Sequence, residues 1–557
     1  MVAALLSWRS TQAPTFKPQL APASIIVEKA LTNPSHYSPK ILSKMAAKLG
    51  ASDPLKARLN LAAEKAGLQP KVKVNTLPAE PDVTKYDIRQ GSQKPEDLIA
   101  SLKANGANIT SIELNMPTDD VFQALVDYCP NLTTLSYNTP GMNIGNYKVT
   151  NEGLLKVSQL QNLKTFRFCV DEMFGIDEKG INALLSCPLF VNKLENLYLS
   201  LFLVEFVEDA SYTIIAGYQC LQTLYLNGNI LKSETLENNP LPATLTRFTF
   251  CQYPYKGLIT DTFLSTLPAG LTHLNISGSW TNVSAAGLKV MQDKLTLITE
   301  LALQGEEITP DQATSITKSL TALSLGDCSK LQTTDLVTIT NNQPNLISYA
   351  IGNAPNFNQL VPLPSNLKSL SLDTPKLYTF NALPPTLEEL TLSHINLPYN
   401  YFLSLTEMKF LRTLRIRHCR GFNDTSLIPL LDAVKDKIQF LELNGIDVTL
   451  KGAMKIAECT RLRTLILNQL YAFNADDLST LLSNVNLRQR IVNLYIGKLE
   501  LNYNNLGPIL SSFTQLKDLY LMLTEFSLPK NFELNTQTVG SFWLGGSQFH
   551  KFIQLQK

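Results

Sequence analysis

Charge is scarce in this chain. Asp, Glu, Lys and Arg make up 17% of its 557 residues, against roughly 25% in an ordinary soluble domain. The formal net charge is +1, from 48 basic and 47 acidic side chains, and no dense Lys/Arg run occurs. A nucleic-acid partner usually demands a basic stripe, so none is expected. No segment holds 18 uninterrupted apolar residues, so no membrane span is expected. Met1 to Arg9 has no basic start and no long apolar run, because Trp8, Arg9 and Ser10 break it; a cleaved export signal is not expected. The eight cysteines contain no Cys-x-x-Cys pair. Without an export signal they read as reduced thiols in a cytoplasmic compartment.

Signals for chemistry are equally thin. There is no phosphate-binding loop and no Gly-x-Gly-x-x-Gly. The five histidines are dispersed, and His418-Cys419 offers two metal ligands with no third nearby. The first 128 residues contain no cysteine, and none follows Cys459, so a separate domain with a thiol nucleophile has no place in this chain. All the cysteines read as small buried hydrophobes. Asp424, Asp476 and Asp477 read as solvated or helix-capping groups, and Gly545-Gly546 as a turn. The expectation is no cofactor, no metal and no enzymatic activity.

What the chain does have is apolar residues, 44% of the total, set in a strict pattern. The spacing apolar-x-x-apolar-x-apolar recurs along most of its length. Clear copies are Leu194/Leu197/Leu199, Leu221/Leu224/Leu226, Leu271/Leu274/Ile276, Leu320/Leu323/Leu325, Leu367/Leu370/Leu372, Leu411/Leu414/Ile416 and Leu462/Leu465/Leu467. Weaker ones include Leu163/Phe166/Phe168 and Val539/Phe542/Leu544. Counted from Ile109 to Val539 there are 18 copies. The mean period is about 25 residues, inside the 20–29 window of leucine-rich repeats.

The chain therefore resembles the leucine-rich-repeat proteins over roughly residues 97–545. The resemblance implies an α/β fold: a leucine-rich-repeat solenoid with a curved parallel sheet on the concave face and helices or 3₁₀ turns on the convex face. The physics agrees. Each copy supplies one short strand whose alternate residues point to opposite faces, and its leucines are buried only when repeats stack. Repeat starts at 346, 367 and 387 lie too close for a helix between them. Longer intervals leave room for one, as over Thr425 to Leu431 and Lys451 to Cys459.

Two dialects are mixed. Leu414-Arg415-Ile416-Arg417-His418-Cys419, Leu323-Ser324-Leu325-Gly326-Asp327-Cys328 and Val149-Thr150-Asn151-Glu152-Gly153-Leu154 resemble the cysteine-containing repeats of F-box substrate receptors. Leu241-Pro242, Leu267-Pro268, Leu363-Pro364 and Leu383-Pro384, each four residues before a repeat start, resemble the repeats of bacterial secreted effectors. The mixture is similar to eukaryote-like proteins of intracellular bacteria, which would place the protein in a host cytoplasm.

Ahead of the repeats, residues 1–23 read as disordered. Residues 24–67 read as a small helical N-terminal extension, with Ile41, Met45 and Leu49 on one face. Residues 68–95 read as a linker and 96–557 as the repeat domain with its caps, opening on a helix from Glu96 to Asn105. The Leu-Pro pair and distant Trp of an F-box are missing from 24–67, so that resemblance covers the repeats only.

The middle residue of each strand should stack into one outward row. In order it reads Glu113, Ser136, Arg167, Tyr198, Tyr225, Thr249, Asn275, Ala302, Ser324, Ala350, Ser371, Thr391, Arg415, Glu442, Ile466, Tyr495, Tyr520, Trp543. Exposed Tyr and Trp mark binding hot spots. Arg167 with Tyr198 and Tyr225 form one candidate patch, Tyr495, Tyr520 and Trp543 another, and Arg415 with Arg417 a candidate contact for an anionic partner. For the C-terminal patch a capping role is an equal alternative, with the tail Phe549 to Gln556 folding over Trp543. The expected function is a non-enzymatic scaffold that binds a protein on its concave face. The alternatives are a ubiquitin-ligase substrate receptor, and recognition of a small ligand or lipid.

Overall fold

The computed structural model describes residues 87–89, 95–114, 117–139, 149–170, 176–201, 209–227, 233–251, 259–316, 320–357, 359, 362–377, 383–397, 399–499, 509–510, 512–523, 541–546 and 550–554. The expected disordered segment 1–23 and helical extension 24–67 lie outside these residues, as does most of 68–95. The chain divides into two compact units, at Ile438/Gln439.

In the first unit the strands are β1 (Asp87–Arg89), β2 (Ser111–Leu114), β3 (Thr134–Thr139), β4 (Thr165–Val170), β5 (Asn196–Leu201), β6 (Thr223–Asn227) and β7 (Arg247–Cys251). They continue as β8 (His273–Gly278), β9 (Glu300–Glu307), β10 (Ala322–Asp327), β11 (Ser348–Ile351), β12 (Ser369–Asp373), β13 (Glu389–Ser393) and β14 (Thr413–Arg417). Each pairs in parallel with the next in sequence. The second unit holds β15 (Phe440–Asn444), β16 (Thr464–Asn468), β17 (Asn493–Leu499), β18 (Asp518–Leu523), β19 (Ser541–Gly546) and β20 (His550–Gln554). Strands β15 to β19 are parallel, and β20 runs antiparallel to β19. Every one of the 18 sequence copies became a strand, β2 to β19. This is the leucine-rich-repeat solenoid architecture of the α/β class.

The expected alternation is present along the strands: Leu323 and Leu325 are 2% and 1% exposed, while Ala322 and Ser324, which alternate with them, are half-buried. Between strands the chain returns mostly by short helices, such as Asp119–Tyr128, Ala285–Lys294, Thr333–Asn342 and Asp424–Val434. No described residue between β11 and β13 is helical, as the short repeat intervals there predict. The helix expected from Glu96 runs Pro95–Asn105. The 451–459 stretch becomes Leu450–Met454 followed by a 3₁₀ turn, Lys455–Glu458.

The Leu-Pro copies and several others close the return with the same turn. In the Leu-Pro copies the proline carbonyl accepts from the leucine three residues on: Pro242 O from Leu245 N (3.1 Å), Pro268 O from Leu271 N (3.2 Å), Pro364 O from Leu367 N (3.1 Å), Pro384 O from Leu387 N (3.2 Å). Elsewhere other residues hold that position, as in Cys129 O from Leu132 N (3.2 Å) and Leu160 O from Leu163 N (3.0 Å). The acceptor is a backbone oxygen, which explains why the side chain can vary.

The residue just before each strand then locks the next rung. Its carbonyl accepts two successive amides: Thr272 O takes Thr299 N (2.9 Å) and Glu300 N (3.1 Å), and Thr299 O takes Thr321 N (2.8 Å) and Ala322 N (3.1 Å). Threonine hydroxyls add a third donor along this column, from Thr272 to Thr246 O (3.0 Å), Thr299 to Thr272 O (3.1 Å) and Thr321 to Thr299 O (3.2 Å).

A second column joins the helix starts. Asp119, the first residue of its helix, accepts the Thr150 amide (2.8 Å) and hydroxyl (2.7 Å), and Thr150 Oγ1 in turn caps its own helix at Gly153 N (3.3 Å). Asp261 does the same for Ser284 (2.8 and 2.6 Å), whose Oγ accepts from Gly287 N (3.0 Å). Asn151 and Asp177 repeat the arrangement, with Asp177 capping at Gly180 N (3.0 Å). Glycine at the third helical position is steric in origin. A Cβ on Gly153, Gly180 or Gly287 would overlap the Asp119, Asn151 or Asp261 side chain of the preceding repeat.

Within the stretch 68–95, read as a linker, Asp87–Arg89 forms β1, which pairs with β2 and sets Arg89 opposite Glu113; three residues with one apolar centre are too short to register as a repeat. Three expectations need correction. Gly545 and Gly546 are strand residues of β19, paired with Met522 and Leu523, and not a turn. Glu442, read as an outward residue, is only 6% exposed. Cys220 is exposed, with its Sγ donating to Asn192 O at 3.1 Å.

The lattice of helix starts predicts an asymmetric glycine scan. Gly287→Ala should destabilise the first unit by about 1–3 kcal/mol, the range for overpacking. Gly270→Ala, whose nearest non-neighbour atom would lie at 3.6 Å, should stay within about 0.5 kcal/mol. Urea melts of the two variants read the difference, and equal stabilities would refute the steric role of the glycine.

Candidate binding surface

The register decides which outward side chains meet. Glu113 pairs with Ser136, Ser136 with Arg167, Arg167 with Tyr198, Tyr198 with Tyr225, and Tyr225 with Thr249. The row runs on through Asn275, Ala302, Ser324, Ala350, Ser371 and Thr391 to Arg415. In the second unit Glu442, Ile466, Tyr495, Tyr520 and Trp543 are consecutive partners. Strand spacing of about 4.8 Å forces neighbours in such a row into contact when they are large.

Arg167, Tyr198 and Tyr225 are the clearest case. The tyrosine rings lie 6.1 Å apart between centroids, tilted by 31°, and the Arg167 guanidinium sits 4.3 Å above the Tyr198 ring. Arg167 is exposed and both tyrosines are half-buried. Partial burial pushes the Tyr225 phenol up from its ordinary value, with Cys251 and Cys169 adding to the effect, so it is a neutral hydrogen-bonding group at neutral pH. A cation over an exposed ring contributes about 0.5–1 kcal/mol.

Beside the tyrosines the row residues become small and the surface sinks. A hollow of about 420 Å³ opens there, lined by Tyr198, Arg247, Thr249, His273, Ala302 and Ser324 among others. Arg247 is exposed on the first position of β7. His273 pairs with Glu300 across the next two strands at 2.9 Å. Reading only the middle of each strand missed Arg247. The period-two alternation puts its position on the same face and could have found it.

The other patches differ. Tyr495 and Tyr520 stack at 5.9 Å and 32°, and burial raises the Tyr520 phenol. Trp543 follows Tyr520 in register, and its own backbone partner on the far side is Phe552 of β20. The tail therefore adds one strand beyond Trp543, β20, which brings Phe552 next in the row. Arg415 and Arg417 are half-buried and already engaged in contacts. Next to them, His394 and His418 stack at 5.3 Å and 12°, both in the left-handed region (φ 55° and 51°), and His394 Nδ1 lies 2.9 Å from Asp373 Oδ1.

Cys419 turns inward from that pair, its Sγ donating to Leu392 O and Arg417 O at 3.4 Å. Burial pushes the Cys129 thiol up to about 11 and the Cys328 and Cys419 thiols to about 12, which removes the thiolate a nucleophile needs. Cys459 is buried as well, and Cys169, Cys187 and Cys251 are half-buried. Among the described residues no group of three or more His, Cys, Asp or Glu is placed to hold a metal ion. No described helix is long and apolar enough to cross a membrane.

No protein-family model matches the chain, and no curated protein sequence matches it. Solved structures similar to it include a chain of the yeast Rad7–Elc1 complex, at 15% identity and TM-score 0.34, covering 73% of this chain and 84% of that one. A chain of the TLR13–ssRNA13 complex is similar at 17% identity and TM-score 0.39, over 80% of this chain and 72% of that one. A chain of the Drosophila Toll–Spatzle complex is similar at 14% identity and TM-score 0.27, over 75% of this chain and 55% of that one. Likeness at this level says nothing about what the present chain binds.

Thiol chemistry tests the burial pattern. Maleimide labelling of folded protein at pH 7.5 should modify Cys220 first and leave Cys129, Cys328, Cys419 and Cys459 unmodified until denaturant is added. Labelling of any of those four in the native state, read by peptide mass mapping, would contradict their inert role.

Proposed function

We propose that the protein is a non-enzymatic scaffold that binds another protein through the outward face of its sheet. The observation that carries this reading is the contiguous Arg167–Tyr198–Tyr225 cluster opening onto the hollow of about 420 Å³. Large amphipathic side chains beside a depression are the anatomy of an interaction hot spot. The raised thiols of the buried cysteines support the non-enzymatic part. The reading against nucleic acid rests on the near-neutral charge alone.

The hollow favours a second reading, recognition of a small ligand, since its volume falls within the roughly 300–1,000 Å³ of ligand sites. Two narrower roles rest on repeat style only. A secreted effector acting in a host cytoplasm follows from the mixed dialects, and a ubiquitin-ligase receptor would draw its adaptor contact from residues 24–67.

Affinity capture with the intact protein tests the scaffold. The Tyr198→Ala/Tyr225→Ala variant should lose a specific partner while melting within a few degrees of wild type. The Tyr495→Ala/Tyr520→Ala variant, two strands from the last described strand, should lose less. If both retain every partner, the outward row is structural and the reading fails.

A further inference from the structure

The cations on the outward face of the first unit are not alike. Those at or near the strand entries are neutralised in place: Lys164 by Glu195 (2.8 Å) and Lys368 by Glu388 (2.9 Å), with Arg412 at 3.8 Å from the same Glu388, while the His273 ring lies 2.9 Å from Glu300. Lys368, with Arg412 behind it, holds the Glu388 carboxyl below its ordinary range. Arg415 and Arg417 are half-buried and engaged. Arg167 and Arg247 are exposed, and neither makes an ion pair with a described carboxylate. They flank the tyrosine pair, Arg167 on β4 and Arg247 on β7.

Their separation follows from the register. Arg247 aligns through Thr223 and Asn196 with Thr165, two residues before Arg167. That is three strand spacings of about 4.8 Å in one direction and two residues of about 3.3 Å in the other, or about 16 Å between Cα atoms. An extended peptide covers this in about five residues. Between the two guanidinium groups it would meet the Tyr198 and Tyr225 rings, and past Arg247 the hollow over β8 to β10.

We propose that this face takes an extended acidic peptide, with two carboxylates four to six residues apart engaging Arg167 and Arg247 and an intervening or following apolar side chain on the tyrosines or in the hollow. Arginine suits the task because its planar fork accepts a carboxylate on two donors at once. The proposal rests on the scaffold reading above and names the partner's chemistry.

The test selects random dodecapeptides displayed on phage against the full-length protein. Winners are then made as fluorescein-labelled peptides and measured by anisotropy, with a labelled oligouridine as the competing class of ligand. Winners should carry an Asp or Glu pair at the stated spacing. Their affinity should fall at least tenfold when that pair becomes Asn or Gln, at least tenfold in Arg167→Ala/Arg247→Ala, and markedly with added salt. Winners without the acidic pair, no winners at all, undiminished affinity in the arginine variant, or tighter binding of oligouridine would each overturn the proposal. The Tyr198→Ala/Tyr225→Ala variant separates the two levels. If it abolishes binding and the arginine variant does not, the face stands and the acidic partner falls. If neither variant changes binding, both readings fall.

Discussion

A strand of five residues with leucines on one edge cannot bury that edge with its own repeat. It needs a neighbour at the same height, and the residue that sets the height is the one just before the strand. Its carbonyl receives two successive amides from the next rung, as Thr272 receives Thr299 and Glu300. A slip of one residue would turn every leucine to solvent. The doubled bond at the entry and the buried leucines therefore reinforce each other, and side-chain placement on the outward face follows from them.

This explains why the convex side can vary so freely. Once the entry turn and the strand are fixed, the return needs only to cover the leucines and bring the chain back. Some repeats do so with a helix; among the described residues of the 346–387 region none is helical. Where helices are present, Asp119, Asn151 and Asp261 tie each start to the next cap, and a glycine makes room. The same logic covers the Leu-Pro copies and others without proline: Pro242, Cys129 and Leu160 offer the same backbone acceptor to the same turn.

The outward face is where function can vary without touching the fold. Its residues contribute little to burial, so a run of small ones over β9 to β11 and a cluster of large ones over β4 to β6 are both compatible with the same coil. The contrast between entry cations paired with carboxylates and two exposed arginines, Arg167 over the Tyr198 ring and Arg247, with no ion pair to a described carboxylate is a property of that surface alone. The buried thiols belong to the other side of the division. They fill space, as Cys328 and Cys419 do at 0% and 1% exposure.

Much of this was legible in the sequence because the repeat imposes its own geometry. The apolar spacing located all of β2 to β19, and the outward row emerged in the order of its letters. β1 was not legible, because Asp87-Ile88-Arg89 carries one apolar residue and no period. Nor was β20, whose antiparallel return depends on the edge of β19. The burial of Glu442 and exposure of Cys220 depend on neighbours outside their own repeats. The strands and their leucine core follow from the letters alone, because a fixed period leaves one way to bury the leucines. The folded chain alone reveals that Arg247 is exposed with no ion pair to a described carboxylate, that Arg415 and Arg417 are engaged, and that a hollow opens over the small residues, because those facts depend on which side chains from successive repeats come within reach across about 5 Å.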